Sequence, residues 1–412
     1  MQVRQRTGSI FVMEIEPVAM LNRIAAVAFM LGAWSLGAAQ ISQGGTPFAW
    51  GTDLVLPEIP YEVTEALDWG ALHSADSVTD LYKEAPWRFG VERSVELNLT
   101  NSGTWDLVDG MRIWRLGVHC PEGQSISFFL DEFDLPKGGA LYVWSSDRSE
   151  FLGGFTEANE KPWEGLAVGL LHSDSVVLEL HEPLAAAGMS SVSIGQIVHG
   201  YRSLLRRAME MAPEMAAMGP FGNSGACNVN VNCPEGEAWQ TEKKSVALIA
   251  SGGFALCTGA LVNNVEQDGS PYFLTANHCL GSPTNWVFYF NHESATCSGS
   301  TGPTNQSVSG ATLKASNAGS DVALLELSAA PPESFDVHYA GWDASGASPT
   351  SAVGIHHPSG DVKKICFQDN APTSSTASGA AVWWIDDWEL GVTEPGSSGS
   401  PLFDQNHRIV GQ

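Results

Sequence analysis

Between residues 246 and 327 the chain is a series of short apolar runs cut apart by glycine, serine and asparagine. The runs are 246–250, 260–262, 272–275, 286–290 and 322–327. Each is too short for a stable helix, and none repeats every 3.6 residues. Such runs bounded by turn residues predict strands of a β-barrel or sandwich. The 43 glycines and 22 prolines, set against only 16% charged residues, suit a loop-rich β protein better than a helical bundle. The fold class expected is therefore all-β.

The first half shows the same grammar. Val91, Arg93, Val95, Leu97 and Leu99 fall on one parity, and Ile126, Phe128 and Leu130, then Val176, Leu178 and Leu180, repeat the pattern. Turns at Asn101-Ser102-Gly103, Pro136-Lys137-Gly138-Gly139 and Gly153-Gly154 separate them. This predicts a sandwich-like domain over about 88–200. Residues 40–80 are polar, proline-rich and weakly patterned. The domain shows no nucleophile–base constellation, and His119 beside Cys120 reads as a strand residue and not as a ligand.

A break follows. Residues 204–218 are rich in Met, Ala and Glu, then Gly219-Pro220-Phe221-Gly222 interrupts them. The composition favours a short helix; an exposed, protease-accessible connection fits the boundary better. At the N-terminus, Arg23 precedes the apolar run 24–31, and small residues follow at Gly37-Ala38-Ala39. That order predicts a secretory signal over 1–39, with no membrane span once it is removed. The location expected is secreted and extracellular, or periplasmic.

Cysteine usage agrees with export. Cys227, Cys233, Cys257, Cys279 and Cys297 cluster, with Cys120 and Cys366 outside, and no CxxC pair occurs. Disulfides in an oxidising compartment are the better reading than a zinc site. An odd total of seven leaves at least one thiol without an intrachain partner. The net charge of −26 repels phosphate backbones and argues against nucleic-acid binding.

Three local motifs carry chemistry: Thr275-Ala276-Asn277-His278-Cys279, Ser320-Asp321-Val322-Ala323, and Gly396-Ser397-Ser398-Gly399-Ser400-Pro401. A serine hydroxyl is a poor nucleophile unless a base lies within hydrogen-bond reach and a third group orients that base. Ser398 is the candidate nucleophile, His278 the base and Asp321 the orienting carboxylate. The glycines around Ser398 permit a tight turn, and the N–H groups of Gly396 and Ser398 are the candidate oxyanion hole. Each motif alone is weak: such turns are common, and a lone His or Asp is usually structural. Their combination in the order His, Asp, Ser is what points to a triad. This chemistry calls for no metal or cofactor.

Through these motifs, region 222–412 resembles the chymotrypsin-like serine endopeptidases, and most closely the secreted bacterial lysyl endopeptidases. The matching stretches are Ser224-Gly225-Ala226-Cys227-Asn228-Val229, Val231-Asn232-Cys233-Pro234-Glu235-Gly236, Cys257-Thr258-Gly259-Ala260-Leu261-Val262-Asn263-Asn264, Ala340-Gly341-Trp342-Asp343, Ile355-His356-His357-Pro358 and Gly391-Val392-Thr393-Glu394-Pro395-Gly396, together with the three motifs above. The resemblance implies two six-stranded β-barrels with the active site between them. It implies a mature N-terminus near Gly222, so that 40–221, with a linker at 203–221, would be a propeptide that acts in cis by assisting folding or blocking the site. It also implies disulfides Cys257–Cys279 and Cys233–Cys297; the first would close a loop carrying His278 and contribute roughly 3 kcal/mol.

Three departures accompany it. Ser397 stands where trypsin has an aspartate that pairs with a freed N-terminus, although the lysyl endopeptidases share the serine. Cys366 has no counterpart. The sequence stops at Arg408-Ile409-Val410-Gly411-Gln412, where the family continues with the specificity pocket, its lysine-binding aspartate and the partner of Cys227. Region 222–412 is therefore expected to be a protease domain incomplete at its C-terminus. His356 and His357 would point to opposite faces of a strand, which disfavours a shared metal; a loop near the cleft is expected instead. Trp383, Trp384 and Trp388 with Asp386 and Asp387 read as a barrel hairpin, or as a pocket wall facing a cation.

The expected function is a secreted serine endopeptidase precursor, monomeric, acting on proteins or peptides after lysine. The alternatives are a related endopeptidase of other specificity, or a non-catalytic binding or adhesion protein on the same scaffold.

Overall fold

The alternating runs of the first half pair into two sheets whose apolar faces meet. The molecule is seen as a computed structural model that describes residues 41–51, 58–82, 86–202, 224–377 and 380–412. The signal at 1–39, the linker at 203–221 and the N-terminus near Gly222 lie outside the described residues. One sheet of the first half runs Tyr61–Val63, Met111–His119, Ser175–Pro183, Ala140–Ser145, Phe151–Phe155, with Thr104–Val108 also on Met111–His119. The other runs Gly90–Asn98, Ser191–Gly200, Ser125–Asp134, Leu166–Leu171. Trp114, Leu116, Leu178 and Leu180 from one face, and Ile126, Phe128, Leu130 and Ile194 from the other, form the buried layer between them. Burying each such side chain contributes about 1.5–3 kcal/mol.

Residues 41–82 do more than the weak sequence pattern there suggests. Backbone N–H groups of Phe48 and Ala49 donate to the wholly buried Glu179 carboxylate, which also meets His181 Nε2 at 2.7 Å. Trp69–Tyr82 is an α-helix that no sequence expectation included. Asp68 starts it, its carboxylate accepting the N–H of Ala71 at 3.0 Å. Asp76 then accepts Tyr201 Oη–H at 2.6 Å and pairs with Arg88. The apolar stripe of this helix is thin: Leu72 and Trp69 pack with Tyr201, and the Asp76 contacts add to that packing.

Region 224–412 forms two main sheets. The first runs Ser307–Ser309, Val287–Phe290, Val246–Ser251, Phe254–Val262, Tyr272–Ala276, Val322–Leu327, Ala311–Asn317, around Phe273, Phe288, Phe290 and Leu325. The second runs Val229–Asn230, Lys364–Gln368, Ala352–His356, Leu402–Asp404, Ile409–Gly411. They occupy the region for which the resemblance implies a pair of six-stranded barrels. A separate hairpin joins Thr373–Ala377 to Ala380–Trp384.

An eighth strand of the first sheet comes from the N-terminal half: Trp87–Arg88 pairs with Ala255 and Phe254. Phe89 and Gly90 donate backbone N–H to Gly253 O at 2.7 and 3.0 Å. Trp87, Phe89, Ala167, Leu170 and Val198 then share one buried cluster with Leu248, Ala250, Ala255, Val287 and Tyr289. The wholly buried Tyr289 hydroxyl accepts the Leu170 N–H at 3.1 Å, and burial pushes its pKa up. The two halves therefore meet through strand pairing and an apolar core.

Candidate active site

His278 and Asp321 are brought together by one strand pairing. Tyr272–Ala276 and Val322–Leu327 lie antiparallel with Ala276 opposite Val322, so the residues just beyond each end face one another. Asn277–Cys279 make a single tight turn, and the Asn277 N–H donates to Asp321 O at 2.9 Å. Asp321 sits at φ 54°, a left-handed conformation that costs a typical side chain about 1–2 kcal/mol and that aspartate tolerates better than most. That backbone turns its carboxylate back onto the histidine. Oδ1 accepts the His278 N–H at 2.8 Å and Oδ2 meets Nδ1 at 2.7 Å. An ionised carboxylate only accepts, so Nδ1 carries a proton and neutral His278 keeps its lone pair on Nε2. Both side chains reach solvent, at 56% and 47% exposure.

The Ser398 turn is anchored across the two sheets. Thr258, in the middle strand of the first sheet, donates its N–H to Ser398 O at 2.9 Å and its hydroxyl to Gly396 O at 2.7 Å. Gly396 and Gly399 have φ of 93° and 80°. A Cβ on Gly399 would lie 2.5 Å from Thr258 O and 2.7 Å from Ala276 N, so only glycine lets the turn reach the strand Tyr272–Ala276 that leads into the His278 turn. Cys279 Sγ is 4.0 Å from Ser398 O. Among the described residues, Ser398 Oγ, His278 Nε2 and the N–H groups of Gly396 and Ser398 have no hydrogen-bond partner.

Cys257 bonds Cys279 and Cys233 bonds Cys297. The first bridge fixes the His278 turn to the strand that carries Thr258. Because the sulfurs beside His278 are in that bridge, they are not available as thiolate ligands. Cys120, Cys227 and Cys366 are free; burial pushes the Cys120 thiol up to about 11, and pushes Cys366 up as well.

Sequence reasoning missed the layer beneath the turn. His356, expected on a loop, ends the strand Ala352–His356 and is wholly buried. Its Nδ1 lies 2.8 Å from Ser397 Oγ, whereas His357 turns the other way, Nδ1 at 3.0 Å from Asp361 O. Burial drives His356 down to about 3, His292 to about 4 and His357 well below the ordinary histidine range, so these rings are neutral. Glu394 accepts the Gly225 N–H at 2.6 Å, the Asn228 amide at 3.0 Å and the Ser359 hydroxyl at 2.9 Å. His356 and Glu394 were visible in the sequence as residue types; their partners Ser397, Ser359 and Gly225 lie 35 to 169 residues away. Trp383 and Trp384 lie on the hairpin strand Ala380–Trp384 and Trp388 lies beyond it: Trp383 Nε1 donates to Val410 O at 3.2 Å, while Trp384 is half exposed.

Comparison with known proteins bears on this region. Residues 221–412 match the family model described as the lysyl endopeptidase C-terminal domain. A lysyl endopeptidase from Pseudomonas aeruginosa is 32% identical over 201 residues, covering 44% of this chain and 43% of that protein. The chain thus spans less than half the length of that curated relative. Among solved structures, the Rv3671c protease of M. tuberculosis in its active form aligns at 18% identity and a TM-score of 0.28, over 46% of this chain and 79% of that one. The MamO protease domain from Magnetospirillum magneticum aligns at 11% identity and 0.29, over 42% and 84%. The region is lysyl endopeptidase-like in sequence and all-β in fold.

Proposed function

We propose that region 222–412 is the catalytic part of a serine endopeptidase that cleaves after lysine, with Ser398 as nucleophile, His278 as base and Asp321 as the group that orients it. The observation that carries this reading is the two-point grip of Asp321 on His278, which holds the proton on Nδ1 and frees Nε2. Ser398 Oγ would attack the scissile carbonyl carbon as its proton passes to Nε2. The resulting oxyanion would take the unpartnered N–H groups of Gly396 and Ser398, each such donor being worth about 3 kcal/mol in the transition state. His278 would return the proton to the leaving amine, and water would release the acyl group by the same path. Ser398 Oγ and His278 Nε2 are not bonded to one another in the free chain, and such catalytic bonds often form only with substrate bound.

Residues 40–221 are proposed as a propeptide. The N-terminal sheets dock on the Phe254 end of the first sheet, and His278 remains open to solvent. That placement favours help with folding over a plug in the site. Secretion is proposed from the signal-like N-terminus and the cysteine usage; no helix among the described residues is long and apolar enough to cross a membrane. The test is labelling of the full chain with a fluorophosphonate, before and after cleavage of the connection at 203–221. An adduct on Ser398 that is lost in Ser398→Ala, with peptide cleavage after lysine, is expected. No adduct in either form would overturn the reading and favour the non-catalytic scaffold.

A further inference from the structure

We propose that His356 is a positioning residue for the Ser398 turn, acting through the hydroxyl of Ser397. The inference rests on Ser398 being the nucleophile. The two candidate oxyanion donors belong to peptide planes whose carbonyls are pinned on the opposite side. Pro395 O, trans to the Gly396 N–H, accepts the Ser359 N–H at 2.6 Å. Ser397 O, trans to the Ser398 N–H, accepts the Ser400 N–H at 3.0 Å. Between them, Gly396 O takes the Thr258 hydroxyl. A trans peptide puts N–H and C=O on opposite sides, so pinning each carbonyl aims each N–H.

Ser397 is the residue shared by the last two of these planes, and its side chain is what stops it rotating. Its Oγ accepts the Glu394 N–H at 3.2 Å while its own N–H donates to Glu394 O at 2.9 Å, a closed ring on one side. On the other side Oγ meets His356 Nδ1 at 2.8 Å. With one lone pair taken by Glu394, the hydroxyl proton is free to go to Nδ1. The next residue works on the same turn: the His357 N–H donates at 3.0 Å to Thr258 Oγ1, which aims that hydroxyl at Gly396 O.

The ring's other nitrogen argues that polarity, and not volume, matters here. Among the described residues, His356 Nε2 is buried without a partner. A leucine would fill the space without leaving a buried polar atom unpaired, so what the imidazole contributes is its bond at Nδ1.

The experiment compares His356→Leu, His356→Asn, His356→Gln and Ser397→Ala in the full chain. It measures the fluorophosphonate labelling rate of Ser398, kcat and KM on a lysyl peptide, and Tm. An asparagine amide stands where Nδ1 stands, while a glutamine fills more of the ring's volume but carries its amide one bond further out. His356→Leu and Ser397→Ala are expected to lower kcat and the labelling rate about 10- to 100-fold with KM within about twofold, since a displacement near 1 Å costs about that much. His356→Asn is expected to recover to within a few-fold, and His356→Gln is not. Wild-type rates in His356→Leu and Ser397→Ala, or Gln recovering as well as Asn, would overturn the assignment. If His356→Leu fails to fold, Ser397→Ala decides alone. No labelling of the unsubstituted chain would overturn the serine reading itself and this inference with it.

Discussion

Replacing Gly399 by alanine tests whether the turn carrying Ser398 is pressed against the strand Tyr272–Ala276 that leads into His278. Two costs arise. The first is backbone: φ 80° is a conformation that a residue with a Cβ enters at about 1–2 kcal/mol. The second is contact. The new Cβ would lie 2.2 Å from Thr275 Oγ1, 2.5 Å from Thr258 O and 2.7 Å from Ala276 N. Two of these three are backbone atoms of central strands and cannot rotate away, so the turn must lift, at a further cost of about 1–3 kcal/mol. The total is about 2–5 kcal/mol, or a fall in Tm of roughly 6–15 °C at about 3 °C per kcal/mol for a domain of this size. Lifting the turn by about 1 Å should lower the Ser398 labelling rate about 100-fold. Gly269→Ala is the control: its φ is 75° but nothing lies within 4 Å of the added Cβ, so it incurs the backbone cost alone. The assays are thermal melting and labelling of the full chain. If the two variants melt together, the turn is not against the strand. If Gly399→Ala is labelled at the wild-type rate, the turn is not where the reaction occurs.

Asp321→Asn should lower peptide hydrolysis about 10⁴-fold by losing the Nδ1 tautomer, with little change in Tm because asparagine also tolerates the left-handed backbone; a loss under tenfold would refute the orienting role. Tyr289→Phe leaves the Leu170 N–H unpaired where the two halves of the chain meet, and should lower stability by about 1–3 kcal/mol in urea unfolding; an unchanged midpoint would mean that this bond does not hold the halves together. His292 and His356 are held down by burial to about 4 and about 3. Between the unfolded histidine pKa near 6.5 and those values, the unfolded chain binds protons that the folded chain does not. Stability should therefore be full above about pH 6.5 and fall as pH drops, by up to about 1.4 kcal/mol per pH unit for each ring. A flat melting profile between pH 6.5 and 4.5 would contradict this.

The strands could be read from the chain because their signal is local. A sheet residue such as Leu178 or Phe288 is apolar in a short run between turn residues, and that is visible without knowing its neighbour. The helix Trp69–Tyr82 could not be read, because Leu72, Trp69 and Asp76 all meet Tyr201, a partner 125 residues or more away that no local window reveals. The same limit applied to His356, whose residue type was noticed and whose partner was not.

The all-β character, the break between two halves, and a His, Asp and Ser each in a distinctive local frame are legible in the chain's local pattern. Which of these meet, and how, follows from long-range packing. The Ala276–Val322 pairing sets His278 against Asp321, Thr258 ties the Ser398 turn to the first sheet, and Trp87–Arg88 joins the N-terminal half to the same sheet. Strand propensity is a property of a few adjacent residues. Register, carboxylate aim and burial depend on groups far apart in sequence, and they exist only once the sheets have closed on one another.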